Sequence, residues 1–393
     1  MIEPPTTMPR TNADPFARAW IAGTPDSDAA LGAQGPAVWL DRYDCAAVSS
    51  FALARAILPD WRRFTSTAKP FDDDVSLVVQ IMVTDDPPVH THVRDALMRF
   101  LSPAALAPTR AMLVAAAERL VDRLIERGSI DAVADLAAAY VLEVFPDLIG
   151  LPGEGRHLIL AFGEAGFNSV GPLNDIFHES LARAGPSLEW VDRVCRRGVT
   201  SPDGLAARIF TLADEGVVTI DQAELLVRTL LAAGFDTTVL GIANAIAAFC
   251  RFPDEWRQVH ADPALVRGAF EEVLRYDPPA RVQGRTATQD VEVQGVAFRR
   301  GDPVALFLTA AGRDPARWDE PDRFSVTRRG ANLGFGAGIH ICIGQVLARM
   351  EFDSLFGVLA RRVRAIEPTA PPTRFINNAA LGWSSVPVRL VAA

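Results

Sequence analysis

Two short stretches of this 393-residue chain hold residues able to do chemistry. In GFGAGIHICIGQ (334–345), Cys342, one of four cysteines, lies among four glycines and two positions after His340. A dinucleotide cradle would need a third spaced glycine after Gly336 and Gly338, but Ile341 holds that place, and no GK[ST] follows as in a P-loop. A Cys342–His340 nucleophile would need a third group to orient the base, and nothing nearby in sequence supplies one. Two readings stay open: a small buried thiol, or a thiolate held for a metal. The second stretch, AGFDTT (233–238), sets Asp236 and Thr237 inside a strongly helical pattern. An acid beside an alcohol can store a proton and pass it on. The plainer reading is a helix-packing notch with a threonine bonded back to its own turn.

The elements that must position these residues follow from the flanking pattern. IGQVLARMEFDSLFGVLARR, directly after Cys342, has helical periodicity. The sulfur then stands at a helix N-terminus, where free N–H groups and the helix dipole favour an anion. Gly336 and Gly338 can take the positive φ of a tight bulge that brings backbone amides to the sulfur. A lone anionic sulfur suits a metal whose other donors come from elsewhere, and haem iron, with four porphyrin nitrogens, is one. AGFDTT falls within TIDQAELLVRTLLAAGFDTTVLGIANAIAAFCRFP, where Thr219 and Gln222 form a capping box and Pro253 sets a stop. One helix of about 30 residues, roughly 45–50 Å long, is expected there and would cross a whole domain. Gly234, Asp236, Thr237 and Thr238 cost such a helix about 2–3 kcal/mol relative to alanine. A local rule broken at the centre of a strong helix marks a site. Ala233 and Thr237 share a face, which together with Gly234 leaves room for something flat.

Composition bounds the rest. Hydrophobic residues make up 49% and the net charge is −9, which favours one large core and disfavours a nucleic-acid partner. The four cysteines lie far apart without a CxxC, which disfavours a disulfide framework or structural zinc. The polar, proline-rich start has no signal-peptide pattern, and no run of ~18 uninterrupted apolar residues suggests a membrane span. The expectation is a cytoplasmic protein with no membrane partner. Residues 1–14 read as a tail and 15–393 as one unit. AVWLDRYDCAAVSS reads as a hairpin, and RAMLVAAAERLVDRLIERG as an amphipathic helix closed by Gly128. Strand patterns return in RTATQDVEVQGVAF, DPVALFLTA and TRFINNAALGWSSVPVRL. The fold class is mainly α with small β-sheets.

FGAGIHICIG (335–344) fills every fixed position of FGxGxHxCxG, the haem-binding signature of cytochromes P450. AGFDTT resembles that family's oxygen-activating AGxDT, and EEVLR supplies its ExxR as Glu272 and Arg275. Asp236 precedes Glu272 by 36 residues and Glu272 precedes Cys342 by 70, the family's order and rough spacing. The chain thus resembles a bacterial soluble cytochrome P450 with the single-domain P450 fold. That resemblance implies haem b (iron protoporphyrin IX), with Cys342 as axial thiolate, Phe335 and Gly336 beside the sulfur, and Ala233 and Gly234 against the haem face. It places His90 and Arg94, on one helical face, with Arg285 and His340 at the haem propionates; the role of His92 is open. Glu272, Arg275 and Arg317 are implied as a buried structural network. Thr237 and Asp236 are implied as the alcohol–acid pair that protonates O2.

SIDAVADLAAAYVLEVFPDLIGL and RDPARWDEPDRF further resemble P450s that oxidise para-substituted benzoates, including by O-demethylation. By motif position, Thr229, Ala232, Ala233, Ala280, Gln283 and the 60–88 loop would line the substrate pocket. That subgroup binds a carboxylate through an Arg and a Ser before DPP, whereas TSTAKPFDDD has Ala68 near the Arg and three consecutive aspartates. Either Lys69, Arg228 or Arg281 substitutes, or the substrate is a neutral small aromatic such as a methoxyphenol. Electrons are expected from a [2Fe–2S] ferredoxin and its NAD(P)H-dependent reductase, docking where Arg94 and Arg99 add basic surface. The competing readings are a peroxide-driven peroxygenase, which would usually lack this acid–alcohol pair, and a haem-thiolate sensor, which has no need of it.

Overall fold

The computed structural model describes residues 8–68, 71 and 81–393. The expected hairpin forms as β2 (Ala37–Leu40) and β3 (Cys45–Val48), both wholly buried. Of the stretch expected as a tail to residue 14, residues 1–7 lie outside the described residues and Arg10–Thr11 join the sheet. Met8 is buried, and β1 (Arg10–Thr11) pairs parallel with β2, where the Trp39 N–H donates to Pro9 O at 2.7 Å. An unpaired β2 edge would have left those backbone groups without partners. With β4 (Phe64–Thr65), β5 (Val282–Ala287) and β6 (Pro303–Phe307), the sheet runs β1-β2-β3-β6-β5-β4. A three-stranded sheet of Ser129–Asp131, Val363–Pro368 and Pro387–Ala392 lies elsewhere.

Helices supply the rest of the frame. α1 (Val89–Leu101) carries His90 and Arg94. α2 (Arg110–Arg127) buries Leu113, Ala116, Ala117, Leu120, Val121 and Leu124, the stripe its periodicity predicts, and ends at Gly128 with φ 78°. Next come α3 (Ile159–Asn168), α4 (Ile220–Gly234), α5 (Asp236–Arg251), α6 (Val266–Tyr276) and α7 (Gln345–Arg362). α7, which follows the cysteine loop, packs against α2 and α6.

The single central helix expected over 219–253 is two. The Thr219–Gln222 capping box forms, but the helix breaks at Phe235 (φ −90°, ψ −65°). At the break, Thr237 Oγ1 donates to Ala233 O (2.9 Å) and Thr238 Oγ1 lies 3.3 Å from Gly234 O. Hydroxyls that bond back to the preceding turn compete with the backbone ladder and bend helices. The 220–251 run is apolar enough for its length to cross a bilayer, yet it lies mostly buried within the protein, as a core element would.

The ExxR pair forms a buried bidentate bridge, with Arg275 Nε and Nη2 each 2.8 Å from a Glu272 oxygen. Arg275 also reaches the carbonyls of Gly312, Pro321 and Arg323 in the meander (2.7–3.0 Å). The third member is Arg328, whose Nε donates to Glu272 Oε1 at 3.0 Å, and not Arg317 as expected. Arg317 is exposed, and its guanidinium stacks over Trp318 and Phe51. The irregular meander turns Arg328 inward, a direction that spacing alone does not specify.

Candidate functional site

The cysteine loop is built by close backbone approaches. A Cβ on Gly338 would lie 2.3 Å from Pro59 Cα, and one on Gly334 would lie 2.7 Å from Leu274 O. Gly336 and Gly338 both adopt φ 72°, which a side chain would disfavour. Cys342 N–H donates to Phe335 O (2.8 Å), closing the bulge. α7 starts at Gln345, three residues after the cysteine, so the N–H groups of Gly344 and Gln345 face the sulfur. Burial pushes the thiol up, outweighing those amides and the charges of Arg94 and Arg349. A sulfur held among donors yet short of positive charge is ready for a cation. Among the described residues no group of three or more His, Cys, Asp or Glu could hold a bare metal ion, so most donors would have to come from a prosthetic group. Phe335 packs beside the loop, edge-on to Phe270 and under Arg349, 4.5 Å from its ring centroid.

Four of the expected residues converge at one edge of the site. His90 is 1% exposed, and neither ring nitrogen has a hydrogen-bond partner. Its ring meets that of His340 at 4.5 Å. Arg94, half-buried on the same face of α1, makes no ion pair among the described residues. Arg285, buried on β5, donates from Nη1 only to the neighbouring Gly284 O (2.6 Å) and leaves Nε unpaired. Burial pushes the Arg285 guanidinium down to about 10. Burial, then Arg285 and His90, push His340 down to about 4, so its Nε2, 3.2 Å from Ser66 Oγ, is neutral at pH 7. Buried polar groups are ordinarily partnered and buried cations paired. The nearby anion, Asp86, lies 3.8 Å from His340 Nε2 and forms no ion pair with Arg94 or Arg285; two carboxylates on the edge of a flat macrocycle would pair them. His92 is apart, with Nε2 2.6 Å from Val217 O on the exposed side of α1.

At the helix break, Ala233 is exposed and Gly234 and Thr237 are half-buried. The missing side chain of Gly234 makes room for Phe145, whose ring would lie 2.6 Å from a Cβ there; packing explains this glycine. Asp236 is 8% exposed and lies on the bare face of Gly163 in α3, where a Cβ would come 2.2 Å from Oδ2. Burial, then the charge of Glu164, push its carboxyl well above the usual range. Of the expected substrate contacts, Ala280 and Gln283 are half-buried, whereas Thr229 and Ala232 are only 3% and 2% exposed. Neither arginine suggested for a substrate carboxylate is free. Arg228 pairs with Asp192, and Arg281 forms a fully buried bidentate pair with Asp28. Lys69 lies outside the described residues.

One buried acid was missed. Glu351 of α7 has Oε2 3.2 Å from Thr238 Oγ1 and Oε1 unpaired, and burial pushes it up to about 8. The signal was present in the sequence: Glu351 recurs with Leu347, Leu355 and Val358 on the buried stripe of α7.

Comparison with known proteins agrees with this geometry. A family model described as Cytochrome P450 matches residues 138–391. The chain is 41% identical to cytochrome p450 CYP199A2 of Rhodopseudomonas palustris, across 98% of this chain and 95% of that one. It is 30% identical to linalool 8-monooxygenase of Pseudomonas putida, across 78% and 76%. The crystal structure of CYP108D1 from Novosphingobium aromaticivorans matches with a TM-score of 0.80 at 27% identity, covering 96% of this chain and 97% of that one.

Glu351 has a pH consequence. The folded chain holds its proton to about pH 8, while the unfolded chain releases it near 4.5. Its contribution to stability is therefore full below the unfolded value and is lost as pH rises towards the folded one. In urea denaturation of the haem-loaded protein, Glu351→Gln should flatten the fall in stability between about pH 5 and 8. An unchanged slope would show that the carboxyl ionises freely.

Proposed function

The chain belongs to the cytochrome P450 family of haem b monooxygenases, and on that premise we propose that it hydroxylates or O-demethylates a small, neutral aromatic substrate with electrons from a [2Fe–2S] ferredoxin. When bound, haem b supplies the dioxygen activation by which one oxygen atom enters the substrate. Cys342 Sγ would hold the iron, and the facing amides of Gly344 and Gln345 favour its thiolate form. Arg94 and Arg285 would neutralise the propionates, and His90 and His340 would donate to them. The observation that carries this reading is the convergence of Arg94 and Arg285, which form no ion pair among the described residues, with a buried His90 whose ring nitrogens are unpartnered, near a cysteine that stands three residues before a helix start.

Asp236 is the acid of the pair, and burial, then the charge of Glu164, hold its carboxyl well above the usual carboxylate range, which favours the form that carries a proton. Thr237 is the hydroxyl at the open wall. At rest it bonds to Ala233 O, and a turn about χ1 frees it to hold a proton against dioxygen. Glu164, which pairs with Arg183 towards solvent, is the neighbour through which Asp236 is recharged. In haem-loaded protein, Thr237→Ala should retain a normal ferrous–CO Soret band while most reductant is diverted from product to peroxide. Full coupling in that variant would remove Thr237 from proton delivery.

The substrate reading rests on the spent cations. With Arg228 held by Asp192 and Arg281 by Asp28, neither is left to neutralise a benzoate, and an unpaired buried carboxylate is costly. The ferredoxin reading rests on charge. Arg99 is matched by Glu215, Arg267 by Asp353 and Arg349 by Glu271, whereas Arg110, which forms no ion pair among the described residues, lines with the last two a cleft of about 330 Å³ beside α7. Titration with 4-methoxyphenol and 4-methoxybenzoate, read by the substrate-induced Soret shift, should give at least about tenfold tighter binding for the phenol, the scale of one unpaired charge. Tighter binding of the benzoate would overturn the neutral-substrate reading.

A further inference from the structure

Asp86 is a carboxylate set among the donors Arg94, Arg285, His90 and His340. It precedes Pro87 and Pro88 at the approach to α1. The residue before a proline is steered to extended backbone, so Asp86 stands outside the first turn of α1. Its carbonyl accepts the His90 N–H (3.2 Å). Its side chain turns towards β4, where Oδ2 accepts from Thr65 Oγ1 and Oδ1 from the Ser66 N–H (3.4 Å). β4 pairs with β5 at Thr65 and Thr286, one residue from Arg285. Towards the cysteine loop, Oδ1 lies 3.8 Å from His340 Nε2, the atom that Ser66 Oγ meets at 3.2 Å. The neighbouring Asp85 is used locally, with Oδ2 accepting from the Met82 N–H (2.7 Å).

These contacts hold the carboxylate in place and leave its charge unspent. Two neutral donors fix its oxygens, and no arginine among the described residues forms an ion pair with either. The side chain is only 17% exposed, and Arg285, His340 and His90 all feel its charge. A charge at that depth is screened much less than one in open water. Arg94 and Arg285 match the two carboxylates of a porphyrin edge one for one. Asp86 adds a third negative charge beside the same two arginines, and it repels what they attract. A negative charge near an iron centre also favours the oxidised state, which carries one more positive charge than the reduced state, and so holds the reduction potential down. Retention alone would be better served by asparagine, whose oxygen can still accept from Ser66 or Thr65 without the charge.

We propose that Asp86 is a positioning residue that works against the propionates: fixed by Thr65 and Ser66 beside His340, its charge loosens the hold of Arg94 and Arg285 on haem and lowers the reduction potential of the iron. The proposal rests on the reading that the propionates lie at this edge. The test uses haem-loaded protein, with haem transfer to excess apomyoglobin as the measure of retention and a spectroelectrochemical titration for the potential. Asp86→Asn should slow the transfer about fivefold, the scale of one like charge at a half-buried site, and should raise the potential. Asp86→Ser, also neutral, should act in the same direction. Asp86→Glu, which keeps the charge, should stay near the wild type in both measurements. Arg285→Gln should speed the transfer. Neutral variants that lose haem no more slowly than the wild type, or whose potential does not rise, would make Asp86 merely a latch between β4 and α1 and overturn the proposal. An Arg285→Gln variant that loses haem at the wild-type rate would place the propionates elsewhere and overturn the reading beneath it.

Discussion

Arg94 and Arg285 stand at one edge of the cavity with no carboxylate of the described protein in ion-pair range, beside a buried His90 with two unpartnered nitrogens. Leaving such groups unpaired costs folding free energy, about 1–3 kcal/mol for each buried polar group and more for a charge. A chain that carries this cost folds best with the missing anion in place. On the proposed reading the haem propionates would provide it, and the same binding event would bring a cation to the half-buried Cys342, whose sulfur faces backbone donors. The two ends of the site would then be satisfied together by one flat, dianionic, metal-bearing group. α1, β5 and the cysteine loop, from three distant parts of the chain, would be fixed relative to one another by what they share.

The distal wall follows a related logic. Thr237 and Thr238 take the carbonyls of Ala233 and Gly234, the central helix breaks at Phe235, and Asp236 becomes the first residue of a new helix. There it is buried against Gly163, and burial pushes its carboxyl well above the usual range. On the other side of the break, Glu351 is pushed up to about 8, with Thr238 as its neighbour. A broken turn flanked by two buried acids is an expensive feature in a core. The free energy stored there is the kind found at sites that must move protons.

Local features were legible in the sequence. The hairpin at 37–48, the stripe of α2, the Thr219 capping box and the cysteine loop all depend on residues within a few positions of one another, and all appear. What escaped depends on long-range contacts. Nothing near Gly234 announces that Phe145 fills its face, and Arg281 finds Asp28 across 253 residues. The meander has no periodicity, so the exchange of Arg317 for Arg328 beside Glu272 had no local signal. For residues 8–14 the reading as a tail missed the strand because polar composition says nothing about an unpaired strand edge waiting at β2. Glu351 is different: its place on an apolar stripe was readable.

The most direct test is the ferrous–CO spectrum of the haem-loaded wild type and of Cys342→Ser. Thiolate ligation predicts the long-wavelength Soret band in the wild type. It also predicts loss of that band in Cys342→Ser, with haem still retained because Arg94 and Arg285 hold its propionates. A wild type with the short-wavelength band of histidine-ligated haem, or a Cys342→Ser variant with the wild-type band, would contradict thiolate ligation by Cys342.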